Sequence, residues 1–227
     1  MNALTALTRP GPIEESIWAQ CLQVDTATIS DVLNARGVLN KAMAPVIRGI
    51  AGDIRTVGLA RTMRSRPRES SPDAGREYAL LFEAIDGLAA GEVLVTDAMD
   101  CCVWGELCCE RALVRGANGT VIDGYHRDTS RVIASGMPVF SKGAHPSDML
   151  YHREIVAINQ PVHCGGVFIS PGDLILADPD GIVVVPTALI REVVAEAVGK
   201  SRIETDVRSA LRAGATAAQA FERYGVF

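Results

Sequence analysis

Residues 92–128 read EVLVTDAMDCCVWGELCCERALVRGANGTVIDGYHRD, and their pattern decides the fold. Glu92 to Asp97 (EVLVTD) is a short apolar run that closes on polar residues, the profile of a buried strand. Trp104 to Arg115 (WGELCCERALVR) spaces its apolar residues as a helix does and stops at Gly116. Gly119 to Asp123 (GTVID) is a second buried strand. Strand, helix and strand within about 30 residues make a βαβ unit, whose strands run parallel through a right-handed crossover.

Working outward, Thr129 to Ser135 predicts a short helix and Pro138 to Ser141 a third strand. Upstream, Pro12 to Leu22 reads as a helix with Glu14 and Glu15 suited to its N-terminus. Asp25 or Thr26 caps a second helix, Ala27 to Ala35, that ends at Gly37. Ile54 to Met63 predicts a strand, Arg64 to Arg76 a loop broken by Pro67 and Pro72, and Arg76 to Leu88 a helix before a turn at Gly91. Beyond His145, Val162 to Ser170, Asp173 to Ala177 and Gly181 to Val185 read as short strands separated by Pro-Gly-Asp and Asp-Pro-Asp-Gly turns. A long helix from Thr187 to Arg212 stops at Gly214, and a short one runs to Tyr224. The expected organisation is an α/β domain over residues 1–186 with a C-terminal helical arm over 187–227, belonging to the same domain and to a subunit interface.

The 227 residues are 48% hydrophobic and 22% charged, values that exclude a disordered or collagen-like chain. With 22 basic residues scattered among 27 acidic ones and a net charge of −5, there is no basic footprint for nucleic acid. The apolar runs are too short for a membrane span. Met1 to Pro12 lacks the basic start and continuous apolar stretch of a signal peptide, so a cytoplasmic protein is expected. The six cysteines include two adjacent pairs, Cys101-Cys102 and Cys108-Cys109, a spacing poorly suited to wrapping zinc. Read as one helix, positions seven apart would share a face; the six are expected to be reduced, small core residues, the alternative being a metal or redox role.

Open α/β sheets bind ligands beyond the carboxyl ends of their strands. That rule brings Gly105-Glu106, at the start of the central helix, beside Gly124-Tyr125-His126-Arg127-Asp128, at the end of the second strand. The helix start offers free N–H groups to an anion, and Gly105 lets a ligand approach the backbone. Arg127 offers a planar fork for a carboxylate, while Glu106 and Asp128 offer oxygens to a hard divalent cation. The plainer reading is an Arg127–Asp128 surface pair with Glu106 facing a helix dipole. His126 borders this cluster as a candidate proton shuttle. His145 and Asp148 (GAHPSD) are candidates for touching a substrate carboxylate or a neighbouring subunit, against a satisfied loop histidine.

The stretch Trp104 to Asp128 resembles the signature of the class II pyruvate aldolases acting on 4-hydroxy-4-methyl-2-oxoglutarate and 4-carboxy-4-hydroxy-2-oxoadipate, a family that also holds the RraA-type regulators of ribonuclease E. The shared pattern is an acidic residue, twenty residues, then Arg-Asp, here Glu106 and Arg127-Asp128. The resemblance extends to Asp25–Asp31 (DTATISD), Pro171-Gly172-Asp173 and Asp178–Pro186 (DPDGIVVVP). It implies an RraA-like α/β/β sandwich of the swivelling-domain type that assembles as a trimer or hexamer. It further implies Asp128 as the protein ligand of Mg²⁺ or Mn²⁺, Arg127 on the pyruvyl group, and the backbone of Gly105, Glu106, Leu107 and Cys108 on the substrate. Glu106 would orient water beside the metal. A glutamate on the C-terminal helix would reach a neighbouring subunit's site, and Glu204 is the first choice, with Glu196 the second. Tyr125-His126 are bulkier than the small or apolar residues that relatives often carry there, and the Arg64–Arg76 loop is individual to this chain.

A 4-hydroxy-2-oxo acid fragments only if the departing carbanion is held as an enolate, by a lysine imine or by a metal. Among the three lysines, Lys142 follows a strand and is the candidate imine former; the alternative is a solvated loop lysine. The expected activity is a divalent-metal-dependent lyase releasing pyruvate, with oxaloacetate decarboxylation as a side activity and a place in aromatic-acid catabolism by analogy. The rivals are a regulator that docks on a ribonuclease, and a dedicated 2-oxo acid decarboxylase or sugar-acid lyase.

Overall fold

The structure is a computed structural model that describes residues 7–73, 76, 78–97 and 99–226. In chain order its elements are α1 (Glu15–Cys21), α2 (Thr26–Ala35), β1 (Arg48–Gly49), β2 (Thr56–Pro67), α3 (Ala79–Asp86), β3 (Glu92–Thr96), β4 (Cys102–Trp104), α4 (Glu106–Val114), β5 (Gly119–Ile122), β6 (Tyr125–His126), α5 (Thr129–Ser135), β7 (Val139–Ser141), β8 (Arg153–Ile158), β9 (Val162–Cys164), β10 (Val167–Ile169), β11 (Leu174–Asp178), β12 (Gly181–Val185), α6 (Ile190–Arg212) and α7 (Ala217–Tyr224). Single-turn 3₁₀ segments at Met149–Tyr151 and Thr187–Leu189 lead into β8 and α6.

One mixed sheet organises the molecule, in the order β1-β7-β5-β3-β2-β11-β12. The long strand β2 takes β3 as a parallel neighbour on one side. On its other side the first half pairs antiparallel with β11 and the second half with β8. The sheet is nearly closed, because one short segment touches both of its edges: Met43 N–H donates to Ile182 O at 2.9 Å, and Arg48–Gly49 pairs with β7. Burial follows the two-residue period of the strands. Val93, Val95, Val121, Ile175, Ala177, Ile182 and Val184 point to the inside of the curled sheet, which the β9–β10 hairpin plugs with Val162, Cys164, Val167 and Ile169. Their neighbours point outward: Leu174, Leu176, Val183 and Val185 under α1, α2 and α6, and Leu94, Ile122 and Val139 under α3, α4 and α5.

The predicted βαβ unit is present, with β3 and β5 adjacent and parallel. Asp25 is the N-cap of α2, its carboxylate accepting the Thr28 N–H at 2.8 Å. Three expectations are corrected. The strand expected over Ile54–Met63 runs on to Pro67, into the predicted loop, because Arg64 and Arg66 alternate with the buried Met63 and Ser65. Val162–Ser170 is a hairpin of two strands, since Gly165 and Gly166 turn the chain at φ of 56° and 81°. Cys101 and Cys102 precede α4, with Cys102 on a strand of its own, so no helical face unites them with Cys108 and Cys109. The strand β8 and the β4–β6 pair were not anticipated. The six thiols are free; Cys108 is half-buried and the other five are buried. The parts of the predicted loop and helix falling on residues 74, 75 and 77 lie outside the described residues.

No helix among the described residues is long and apolar enough to cross a membrane. The 187–227 segment forms α6 and α7, with Val193, Val194, Ala197 and Val198 packed into the same core as α1 and α2.

Candidate active site

The site rests on a small two-stranded parallel sheet set beyond the carboxyl ends of β3 and β5. Beyond each of them the chain climbs one step further: β4 follows β3, β6 follows β5, and the two pair with Cys102 opposite Tyr125 and Trp104 opposite His126. Arg127 N–H donates to Trp104 O at 2.9 Å, which locks the two strand ends in register. Gly105-Glu106 and Arg127-Asp128 therefore leave the sheet side by side.

Gly105 is the N-cap of α4 and has no side chain to cap it. Asp128 supplies that function from the adjacent segment, its Oδ2 accepting the Glu106 N–H at 3.3 Å. The fit is close, since a Cβ on Gly105 would lie 2.6 Å from Asp128 Oδ2. Asp128 precedes α5 yet does not cap it; its backbone is left-handed at φ 58°, a conformation that aspartate tolerates at some cost. That twist aims the carboxylate back at the start of α4.

Arg127 Nη1 donates to Asp148 Oδ2 at 2.8 Å, while its Nε stands 4.0 Å from Asp128 Oδ2. Asp148 is itself fixed by the Leu150 N–H at 2.8 Å and the Tyr78 hydroxyl at 2.9 Å. Burial and the bond to Asp148 push the Tyr78 phenol up to about 12, so it stays a donor at neutral pH. Arg127 is thus clamped from one side, its remaining donors available to the cleft.

That cleft, about 220 Å³, is lined by Tyr78, Phe82, Trp104, Gly105, Leu107, Cys108, Arg127, Asp128 and Asp148 among others. Of the residues singled out from the sequence, Gly105, Leu107, Cys108, Arg127 and Asp128 meet there. Glu106 stands at its edge, Oε2 taking Arg131 Nη1 at 3.0 Å. Leu107 is 80% exposed at the mouth. Burial pushes the Cys102 thiol up to about 12 and raises that of Cys108, which keeps both protonated rather than nucleophilic.

Other candidates lie elsewhere. The His126 ring is buried and both its nitrogens are taken, Nδ1 by Ser141 Oγ at 2.8 Å and Nε2 by Thr129 Oγ1 at 3.0 Å. Burial lowers its pKa, so it is a neutral structural imidazole rather than a shuttle facing the cleft. His145 accepts the Ser147 N–H at 3.2 Å and packs on the Tyr125 ring. Lys142 is a half-buried loop lysine outside the cleft, its Nζ pairing with Asp123 Oδ1 at 2.5 Å. Glu204 lies on α6, 3.7 Å from Lys200, and Glu196 binds Arg36 at 2.7 Å; neither lines this chain's cleft. Tyr78 was missed by sequence reasoning, and Asp148 was noticed only for substrate or subunit contact, not as the partner of Arg127.

The chain is similar to proteins of one family along most of its length. A family model described as RraA-like, Aldolase/RraA, matches residues 26–184. Protein DlpA of Legionella pneumophila is 32% identical over 92% of this chain, which spans only 34% of DlpA. A Halalkalibacterium halodurans protein named "Putative 4-hydroxy-4-methyl-2-oxoglutarate aldolase" is 32% identical over 72% of this chain and 73% of its own length. Among solved structures, an uncharacterised Pseudomonas syringae protein superposes with a TM-score of 0.80 at 33% identity, over 93% of this chain and 99% of that one. Streptomyces coelicolor RraAS2, titled an unusual member of the RNase ES inhibitor RraA protein family, gives 0.79 at 27% identity, over 86% of this chain and 98% of its own. With the acidic-x20-Arg-Asp residues gathered at one helix start and a single family matched across the curled sheet that carries them, the chain belongs to the RraA-like family of aldolases and RraA proteins.

Proposed function

We propose that the protein is a divalent-metal-dependent lyase of the class II pyruvate-aldolase type, splitting a 4-hydroxy-2-oxo acid into pyruvate and a second oxo acid. The observation that carries this reading is the meeting of Arg127, Asp128 and the start of α4 in one cleft. The aldolase name of the Halalkalibacterium relative supports the substrate class.

The donor set suits a hard cation. Asp128 keeps Oδ2 on the Glu106 N–H and is half-exposed toward the cleft, which leaves Oδ1 to a ligand. Among the described residues no three His, Cys, Asp or Glu side chains converge into a cage. An ion held by one carboxylate, with water and substrate oxygens completing its shell, is the habit of Mg²⁺ and Mn²⁺ rather than of zinc. When bound there, such an ion would supply a Lewis acid to the oxo acid.

The chain's own residues do the rest. The first-turn N–H groups of Leu107 and Cys108 hold the C1 carboxylate at the positive end of α4. Arg127, held at a fixed angle by Asp148, faces the C2 oxygen, where negative charge grows as the C3–C4 electron pair moves onto C3. Glu106, steadied by Arg131, orients the water that takes the C4 hydroxyl proton, and that carbon leaves as a carbonyl. Reprotonation of C3 yields pyruvate; loss of CO₂ from oxaloacetate generates the same enolate. The assembly belongs to the proposal: Leu107 and Phe82 (57% exposed) leave large apolar side chains uncovered in the cleft's lining, suited to cover by further copies in a trimer or hexamer.

The test is pyruvate release from 4-hydroxy-4-methyl-2-oxoglutarate, 4-carboxy-4-hydroxy-2-oxoadipate and oxaloacetate, each with Mg²⁺ and with EDTA. Turnover that EDTA abolishes is expected for at least one. No pyruvate from any of the three, with folded protein, overturns the reading and leaves the ribonuclease-docking role.

A further inference from the structure

We propose that the cavity behind Tyr78 is a second oxyanion site, built on Arg68 and separate from the Arg127–Asp128 cleft. It measures about 120 Å³ and is lined by Arg68, Asp73, Arg76, Tyr78, Glu154 and the first turn of α3. The volume suits a carboxylate, phosphate or sulfate group and is too small for a nucleotide.

Three observations point to an anion. The Arg68 side chain is only 8% exposed, and its Nε is buried without a hydrogen-bond partner among the described residues. A guanidinium carries five N–H donors in a planar fork, and burying them unpaired is unfavourable. The ion pair of Arg68 is also a long one: Nη1 stands 3.5 Å from Glu154 Oε2, while Arg66 takes the other oxygen of Glu154 at 2.7 Å. Finally, α3 opens on this cavity with Tyr78 as an N-cap that makes no side-chain cap bond, so the positive end of the helix faces the same space. Arg76 adds a second guanidinium to the lining. Asp73 opposes an anion from the rim, where it is exposed.

Position suggests why such a site would be kept. Tyr78 and Leu81 line both this cavity and the catalytic cleft. Two sources therefore share the chemistry: the distal carboxylate of the oxo acid, or a free inorganic anion. The first source rests on the aldolase reading; the site itself does not.

The test titrates inorganic phosphate calorimetrically into intact protein carrying Arg127→Gln, which removes the guanidinium of the neighbouring cleft. One binding event is expected. Adding Arg68→Lys, which keeps the charge but not the fork, should weaken it about tenfold or more, and Arg76→Gln should weaken it less. If Arg68→Lys fails to fold, Arg76→Gln decides. Phosphate binding unchanged in both, or absent altogether, overturns the site whether or not the protein is an aldolase. With Arg127 intact, an Arg68→Lys rise in KM confined to substrates bearing a distal carboxylate names the substrate as source. Lost phosphate binding at constant KM names a free anion.

Discussion

At the scale of single residues the cleft depends on one unusual backbone position. Asp128 sits at φ 58° so that its carboxylate reaches the start of α4. Asparagine tolerates the left-handed region and keeps the acceptor, so Asp128→Asn separates charge from shape. Its melting temperature should stay within a few degrees of wild type while pyruvate release falls about a hundredfold or more; undiminished release would remove Asp128 from the metal site. Gly105→Ala makes the complementary change. Gly105 is extended at φ −142°, so alanine costs the backbone little, yet its Cβ would meet Asp128 Oδ2 at 2.6 Å. A folded protein with turnover reduced about tenfold or more is expected, and wild-type kinetics would show that the carboxylate's place is not what matters. His126 gives a pH dependence. Burial holds its pKa below the ordinary 6.5, so the unfolded chain binds the extra proton first. Stability is full above about pH 6.5 and is lost as pH falls from there toward the folded value. Melting curves from about pH 8 to pH 5 should therefore decline less steeply for His126→Gln than for wild type; parallel declines would count against it. Arg127 and Asp128 were legible in the sequence because strand ends of a βαβ unit must meet. Tyr78 was not, because it joins the site through Asp148 across an irregular segment with no periodicity to place it.

Elements were legible where the chain carries its own boundary chemistry. The N-cap Asp25, the stop at Gly37, the helix Thr129–Ser135 and the strand Gly181–Val185 all follow from caps, turns and apolar runs. Losing the Asp25 carboxylate should free the Thr28 N–H at the start of α2. Asp25→Ala is expected to cost about 1 kcal/mol in urea unfolding at fixed protein concentration, and a change lost in the error of the fit would mean the cap is not what holds that end. Elements defined by partners were less legible. The second half of β2 resembled a loop because arginines occupy its outer positions, and it is a strand only because β8 pairs with it. The β4 and β6 strands are two or three residues each and exist because they face one another. They nonetheless shape the cleft, since they carry the strand ends outward to it. The reasoning that put the two motifs on one rim was right about the neighbourhood and silent about this extra step.

At the scale of the molecule, the curled sheet leaves the cleft on the outside, with the exposed Leu107 and Phe82 in its lining beside Arg127 and Asp128. A lone chain gains nothing from exposing two large apolar side chains beside a polar cleft, whereas a neighbour that covers them also excludes water from that cleft. Glu204 lies on α6, away from its own chain's cleft, so any role it has in chemistry must be played in a neighbour's. That argument yields a quantitative outcome. Take Glu204→Ala and Asp128→Ala proteins, each inactive alone, and mix them equally under conditions of subunit exchange. If every site draws Asp128 from one copy and Glu204 from the next, random assembly makes about one site in four complete. Pyruvate release should then recover to about a quarter of the wild-type rate per site, while a single chain that owned its whole site would recover none. Verified exchange without recovery would assign Glu204 to the fold of its own arm, where Lys200 already partners it.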